Sequence, residues 1–163
     1  MTENVMRRVR YLVVEALYEA DASGHEVEAV LKRRLSEMSE EEPDILKPGP
    51  SGYAVGAARG VTRRMEELDT HIQDAATQYP VDTLAVVDRN ILRLAIWELL
   101  SDGASPVPAV VNEAVELAHR YGGETSPAFV NGVLRTVSER ISAARAARSA
   151  PGPESSPSTE STP

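Results

Sequence analysis

The 163-residue chain contains no cysteine. That absence excludes disulfides, thiol nucleophiles and every cysteine-ligated metal or iron–sulfur centre. Histidine is scarce too: His25, His71 and His119 are the whole supply, too little for a histidine-built metal site. Aromatic residues amount to 4%, with one phenylalanine (Phe129), one tryptophan (Trp97) and five tyrosines. There is no run of about 18 apolar residues, so no membrane span is expected. The N-terminus lacks the apolar stretch of a secretory leader, which points to a cytoplasmic protein. Glycine-rich phosphate loops, GxSxG and HExxH are all missing, so neither an enzymatic site nor a cofactor is expected.

What is present suits one globular domain: 42% of residues are hydrophobic. Acidic residues outnumber basic ones 25 to 17, a formal charge of −8. Taken alone, that balance argues against a nucleic-acid partner. Net charge does not say where the positive charges sit, however. Residues 149–163 (SAPGPESSPSTESTP) hold four prolines and no large apolar side chain, and are expected to be a disordered tail. Two of the excess negative charges, Glu154 and Glu160, fall in it. A second break, residues 39–50 (SEEEPDILKPGP), is acidic and proline-rich, and reads as a join between helices rather than domains. The expected organisation is a single all-helical domain over residues 1–148.

Helical periodicity runs through that domain. Val5, Val9, Leu12, Val13, Ala16, Leu17 and Ala20 form one stripe of a helix over about residues 4–21. Ser23 with Glu26 reads as a capping box opening the next helix. Apolar positions from Ala54 to Ala76 trace a long helix that Pro80 ends. Residues 87–100 (VDRNILRLAIWELL) are apolar around most of the circumference, as in a helix enclosed by its neighbours. A further helix runs from near Pro108 to Gly122-Gly123, and Ser126-Pro127 reads as the N-cap and first position of the last one. No strand shows clean alternation, so the fold class is all-α.

Two surface features stand out. The face of the first helix opposite its core stripe carries Arg7, Tyr11 and Tyr18, flanked by Arg8, Arg10, Val14 and Glu15. Arginine forks suit phosphate oxygens, and tyrosine rings offer surfaces on which unpaired bases stack. A solvated arginine face with tyrosines packed on a neighbouring helix is the commoner origin of such a pattern. Phe129 lies in the first turn of the last helix, off the core stripe and near backbone N–H groups that could meet an anion. Alternatively it caps the bundle core. Asp82 and Asp88 flank the entry to the enclosed helix and read by default as N-caps; a role toward a partner requires exposed carboxylates.

The blocks VDRNILRLAIWELL (87–100) and PVPAVVNEAVELAHRYGGETSPAFVNGVL (106–134), with the N-terminal RRVRYLVVEALYEAD (7–21), closely resemble the NusB family of bacterial antitermination factors. The resemblance covers about residues 5–142; residues 22–80 match mainly in helical pattern. It implies two antiparallel helical bundles side by side, about seven helices, and no catalysis. It further implies binding of boxA RNA in nascent transcripts, notably of ribosomal RNA operons, together with the ribosomal protein NusE. The wider partner that the resemblance implies is the transcribing RNA polymerase complex with other Nus factors. Carried over by position, the RNA surface comprises Arg7, Arg8, Arg10, Tyr18 and Phe129, and the NusE surface Asp82 and Asp88. Some members of the family form homodimers, and the residues leave that open here.

Three positions depart from the family pattern: Glu15 in place of a common glutamine, Thr125 in place of an acidic residue, and Arg135 where aspartate is frequent. Glu15 would either pair with a nearby arginine or mark the edge of the RNA footprint. A similar domain also precedes certain ribosomal RNA cytosine methyltransferases. The sequence shows neither their nucleotide-binding α/β domain nor a cysteine, so the alternative is a related helical domain without the catalytic one. A protein-interaction module without RNA contact is the other alternative.

Overall fold

The computed structural model of the chain describes residues 2–101, 105–149 and 152. Seven α-helices account for most of them: α1 (Thr2–Ser23), α2 (Val27–Met38), α3 (Pro48–Arg63), α4 (Met65–Ala75), α5 (Val86–Leu100), α6 (Val107–Tyr121) and α7 (Ser126–Ser149). Short 3-10 turns cover Pro43–Leu46 and Val81–Thr83, and no strand occurs among the described residues. Ser149, expected in the tail, is the last residue of α7. The expectation of a disordered tail otherwise falls outside the described residues, Gly152 excepted.

Helices α1, α2 and α3 pack on one another, as do α5, α6 and α7, with α4 against α5 and α7. Helix α5 joins the two groups, touching α1, α3, α4, α6 and α7. Its sequence explains the position: Ile91, Leu92, Leu94, Ala95, Ile96 and Leu99 are buried around nearly the whole circumference. Gly60 of α3 lets that helix come close to α5, because a Cβ there would run into the Trp97 indole.

Most polar residues of α5 are buried with its apolar ones, and Arg89 is partly so. Arg89 donates two hydrogen bonds to the Asp21 carboxylate, at 2.7 and 2.6 Å. Arg93 donates to both oxygens of Asp69, at 2.7 and 2.9 Å, and to Asp21 at 3.0 Å. Asn90 donates to Asp21 at 2.9 Å. These bonds tie the C-terminal end of α1 and the middle of α4 to the first turns of α5. At the other end of the α1–α5 contact, Arg10 faces Glu98 at 3.6 Å. The two helices therefore run antiparallel.

Several boundaries differ from the sequence reading for local reasons. Ser23 belongs to α1 and donates its hydroxyl to the Glu19 carbonyl, so the capping box with Glu26 does not form. The helix expected from Ala54 to Ala76 is two, broken at Arg64 with φ −106° and ψ 17°. The apolar stripe continues across the break because both pieces face the same core. Helix α7 receives its first bond from the Phe129 N–H to the Thr125 carbonyl, at 3.1 Å. Ser126 is thus inside the helix, and its hydroxyl accepts from the Gly123 N–H at 3.0 Å.

The Arg89 hydrogen bonds hold Asp21 below its ordinary range against a smaller opposing effect of burial, with Asn90 and Arg93 adding to the depression. A depressed carboxylate stabilises the fold above its unfolded pKa of about 4, and that contribution fades as pH falls through the folded value. Asp21→Asn leaves Arg89 and Arg93 short of their anion and should cost about 3 kcal/mol at pH 7. Urea unfolding at pH 7 and at acid pH checks this. The gap between parent and variant narrows as pH falls below the ordinary aspartate range.

Candidate nucleic-acid interface

Helix α1 buries more of its surface than its pattern suggests. Val14, expected on the outer flank, is 1% exposed. Tyr11 packs edge-on against Tyr121 of α6, with ring centroids 6.0 Å apart. The packed-tyrosine reading therefore holds for Tyr11. Tyr18 is 47% exposed, two turns further along the same face.

The three arginines are in different environments. Arg7 is 42% exposed at its side chain and faces Glu113 of α6 at 3.3 Å. Arg8 is 55% exposed and donates to Glu42, in the acidic turn after α2, at 2.7 Å. Arg10 is 18% exposed and lies over the Tyr53 ring, 5.4 Å from its centroid, beside Glu98. Tyr53 donates its hydroxyl to the same carboxylate, and burial with that neighbouring negative charge pushes its phenol far up. Arg10 thus sits among α1, α3 and α5, while Arg7 and Arg8 face solvent.

The seam between α1 and α6 contributes residues that the sequence did not single out. The exposed Arg120 guanidinium lies 4.4 Å from the Tyr11 ring centroid and 5.5 Å from that of Tyr121. Tyr121 donates to Glu15 at 2.7 Å, and Arg34 donates to the same carboxylate at 3.0 Å. Burial, followed by the Glu15 bond, pushes the Tyr121 phenol up to about 12. Glu15 is thereby paired with an arginine, the first of its two expected roles. Arg7, Tyr11, Arg120 and Tyr18 follow one another along this seam over about 16 Å, by the helical rise. The signal for Arg120 in the sequence was weak: a single arginine in the last turn of α6.

Phe129 stands apart from that seam. It is half-buried and lines an open cleft of about 370 Å³ with Tyr79 and the segment after α4. Tyr79 is 57% exposed and offers a second ring there. The first turn of α7 has few donors for an anion. The Ser126 N–H is bonded to the Gly123 carbonyl, Pro127 has none, and the Phe129 N–H is bonded to Thr125.

The two aspartates also separate. Asp82 is exposed in the 3-10 turn that begins after Pro80, and Asp88 is buried in the first turn of α5 with one carboxylate oxygen unbonded. Neither is an N-cap: Pro80 and Ala85 occupy those positions. Asp82 meets the exposure that a partner contact requires, and Asp88 does not. An open cleft of about 450 Å³ beside Asp82 is lined by Asp69, Gln73, Arg89 and Arg93. No group of three or more metal-ligating side chains occurs among the described residues, and none of their helices is long and apolar enough to cross a membrane.

Fold and surface together define an all-helical protein organised about one enclosed helix, with arginines and tyrosines displayed along its first helix. The model of the NusB family matches residues 7–139. The transcription antitermination protein NusB of Dehalococcoides mccartyi (strain CBDB1) is 40% identical over 135 residues, covering 83% of this chain and 90% of that protein. The structure of T. maritima NusB superposes with a TM-score of 0.74 at 32% identity, covering 82% of this chain and 90% of the other. A crystal structure of the antitermination factors NusB and NusE in complex with dsRNA gives 0.67 at 29% identity, over 86% and 98%. The chain belongs to the NusB family.

The environments of Arg8 and Arg10 predict opposite stability outcomes. Arg8→Ala should stay within about 0.5 kcal/mol of the parent, as exposed pairs contribute little. Arg10→Ala leaves Glu98 buried without its cation and should cost about 2–3 kcal/mol. Chemical denaturation of the two variants checks the difference.

Proposed function

We propose that this chain is a non-enzymatic transcription antitermination factor that binds boxA RNA of nascent transcripts together with NusE. The observation that carries the reading is the exposed arginine–tyrosine seam of α1 and α6, on a chain whose family includes a NusB solved with NusE and RNA. Arg7 and Arg8 supply forks for phosphate oxygens, and Tyr18 a ring for an unpaired base or sugar. Phe129, with Tyr79 beside it, supplies a second apolar contact. Asp82 faces NusE, while the buried Asp88 is not presented to the partner.

The ion pairs already in place decide which arginines can turn to RNA. Arg8–Glu42 is an exposed pair worth about 0–1 kcal/mol, so a phosphate can displace its carboxylate. The Arg7 side chain is 42% exposed beside a part-buried Glu113, which leaves its guanidinium open to a phosphate from the solvent side. Arg10 is enclosed with Glu98, and its main part is to hold α1 in place. A chain of charge −8 repels RNA at long range. NusE completes the surface, and affinity is cooperative between the two proteins. The absence of a catalytic motif in the sequence supports the non-enzymatic part of the reading.

The test measures RNA affinity in the presence of NusE as a function of salt. Arg7→Ala should weaken boxA and unrelated RNA alike and lower the salt slope by about 1. Phe129→Ala should reduce the preference for boxA over a scrambled sequence. Parent-like affinity and preference in both variants would falsify this surface.

A further inference from the structure

The seam between α4 and α7 holds a second basic site. These helices run antiparallel: Phe129 of α7 lines a cleft with residues 75–79, and Arg140, Arg145 and Arg148 line a groove of about 900 Å³ with Arg64, Glu67 and Asp74. Arg64 is bound to Glu67 by two hydrogen bonds of 2.8 Å, so those charges cancel. Arg140 and Arg148 form no ion pair among the described residues. Arg145 donates only to the Leu99 carbonyl, at 3.0 Å. Asp74 is the one further carboxylate on the groove, and His71 its remaining titratable group. In an acidic chain this is a local excess of guanidinium, with forks suited to phosphate.

Its place on the helix links it to Phe129. At about 100° and 1.5 Å per residue, Arg140 lies about 20° around α7 from Phe129 and about 16 Å further along. The family match ends at residue 139, so this arginine run lies outside the matched region. We propose that the α4–α7 groove binds the sugar–phosphate backbone of RNA continuing past Phe129, with Arg140 and Arg148 on phosphate oxygens and Arg145 adding its charge. The inference rests on the RNA reading given above and extends the footprint to a second face.

The test uses the full chain with NusE, a short boxA RNA, and the same RNA lengthened at its 5′ or its 3′ end. One extension should tighten binding to the parent several-fold and steepen the salt dependence by about 0.7 per phosphate neutralised. Arg140→Gln/Arg148→Gln should bind the short RNA as the parent does and gain nothing from the extension. The proposal fails if neither extension helps the parent, or if the double variant keeps the gain. It fails equally if the groove holds the chain's own acidic segment. In that case Glu154→Gln/Glu160→Gln shifts the amide resonances of Arg140–Arg148 without RNA, and lengthening the RNA has no effect. A parent that does not bind the short RNA at all overturns the underlying RNA reading, and the groove assignment with it.

Discussion

Everything on the candidate surface depends on how α1 is held against α5. Two polar clusters fix that contact, one at each end. Asp21 receives Arg89, Asn90 and Arg93 at one end, and Arg10 meets Glu98 and Tyr53 at the other. Between them lie Leu12, Val13, Ala16 and Leu17, none more than 4% exposed. Apolar burial supplies the driving force and is non-directional. The charged clusters specify register and rotation, because a shift of one residue would leave buried guanidinium groups without their carboxylates. With α1 fixed in rotation, Arg7, Arg8 and Tyr18 can only point outward.

The same distinction resolves the apparent conflict between an acidic chain and a polyanionic ligand. Arginines in enclosed pairs, such as Arg93 with Asp69, are committed to the fold. Arginines in exposed pairs keep most of their hydration and give up little when a phosphate replaces a carboxylate. Glu113 and Glu42 keep Arg7 and Arg8 neutralised in the free protein without consuming them. The proposed reading accordingly expects a weak affinity of the free chain for RNA.

Much of the fold was legible in the sequence. Apolar spacing placed α1, α6 and α7 within a few residues, and the nearly continuous apolar character of residues 87–100 placed α5. The break at Arg64 was not visible, because the stripe from Ala54 to Ile72 stays in phase across it. The role of Ser23 was misread because a hydroxyl at a helix end can serve the preceding helix as well as the following one. At the site, the arginine face was legible and its internal differences were not. That Arg10 is enclosed depends on Tyr53 and Glu98, 43 and 88 positions away in the chain. Arg120 gains meaning only when α6 is laid beside α1, and Asp88 proves buried because α5 is enclosed from its first turn.

The central claim is that this surface reads RNA and needs a second protein to complete it. Its most direct test is a four-way titration: boxA and scrambled RNA, each with and without NusE. The account predicts weak binding of both RNAs by the chain alone, and a marked gain with NusE that is larger for boxA. Equal affinity for the two RNAs in the presence of NusE, or full boxA affinity without it, would contradict the account.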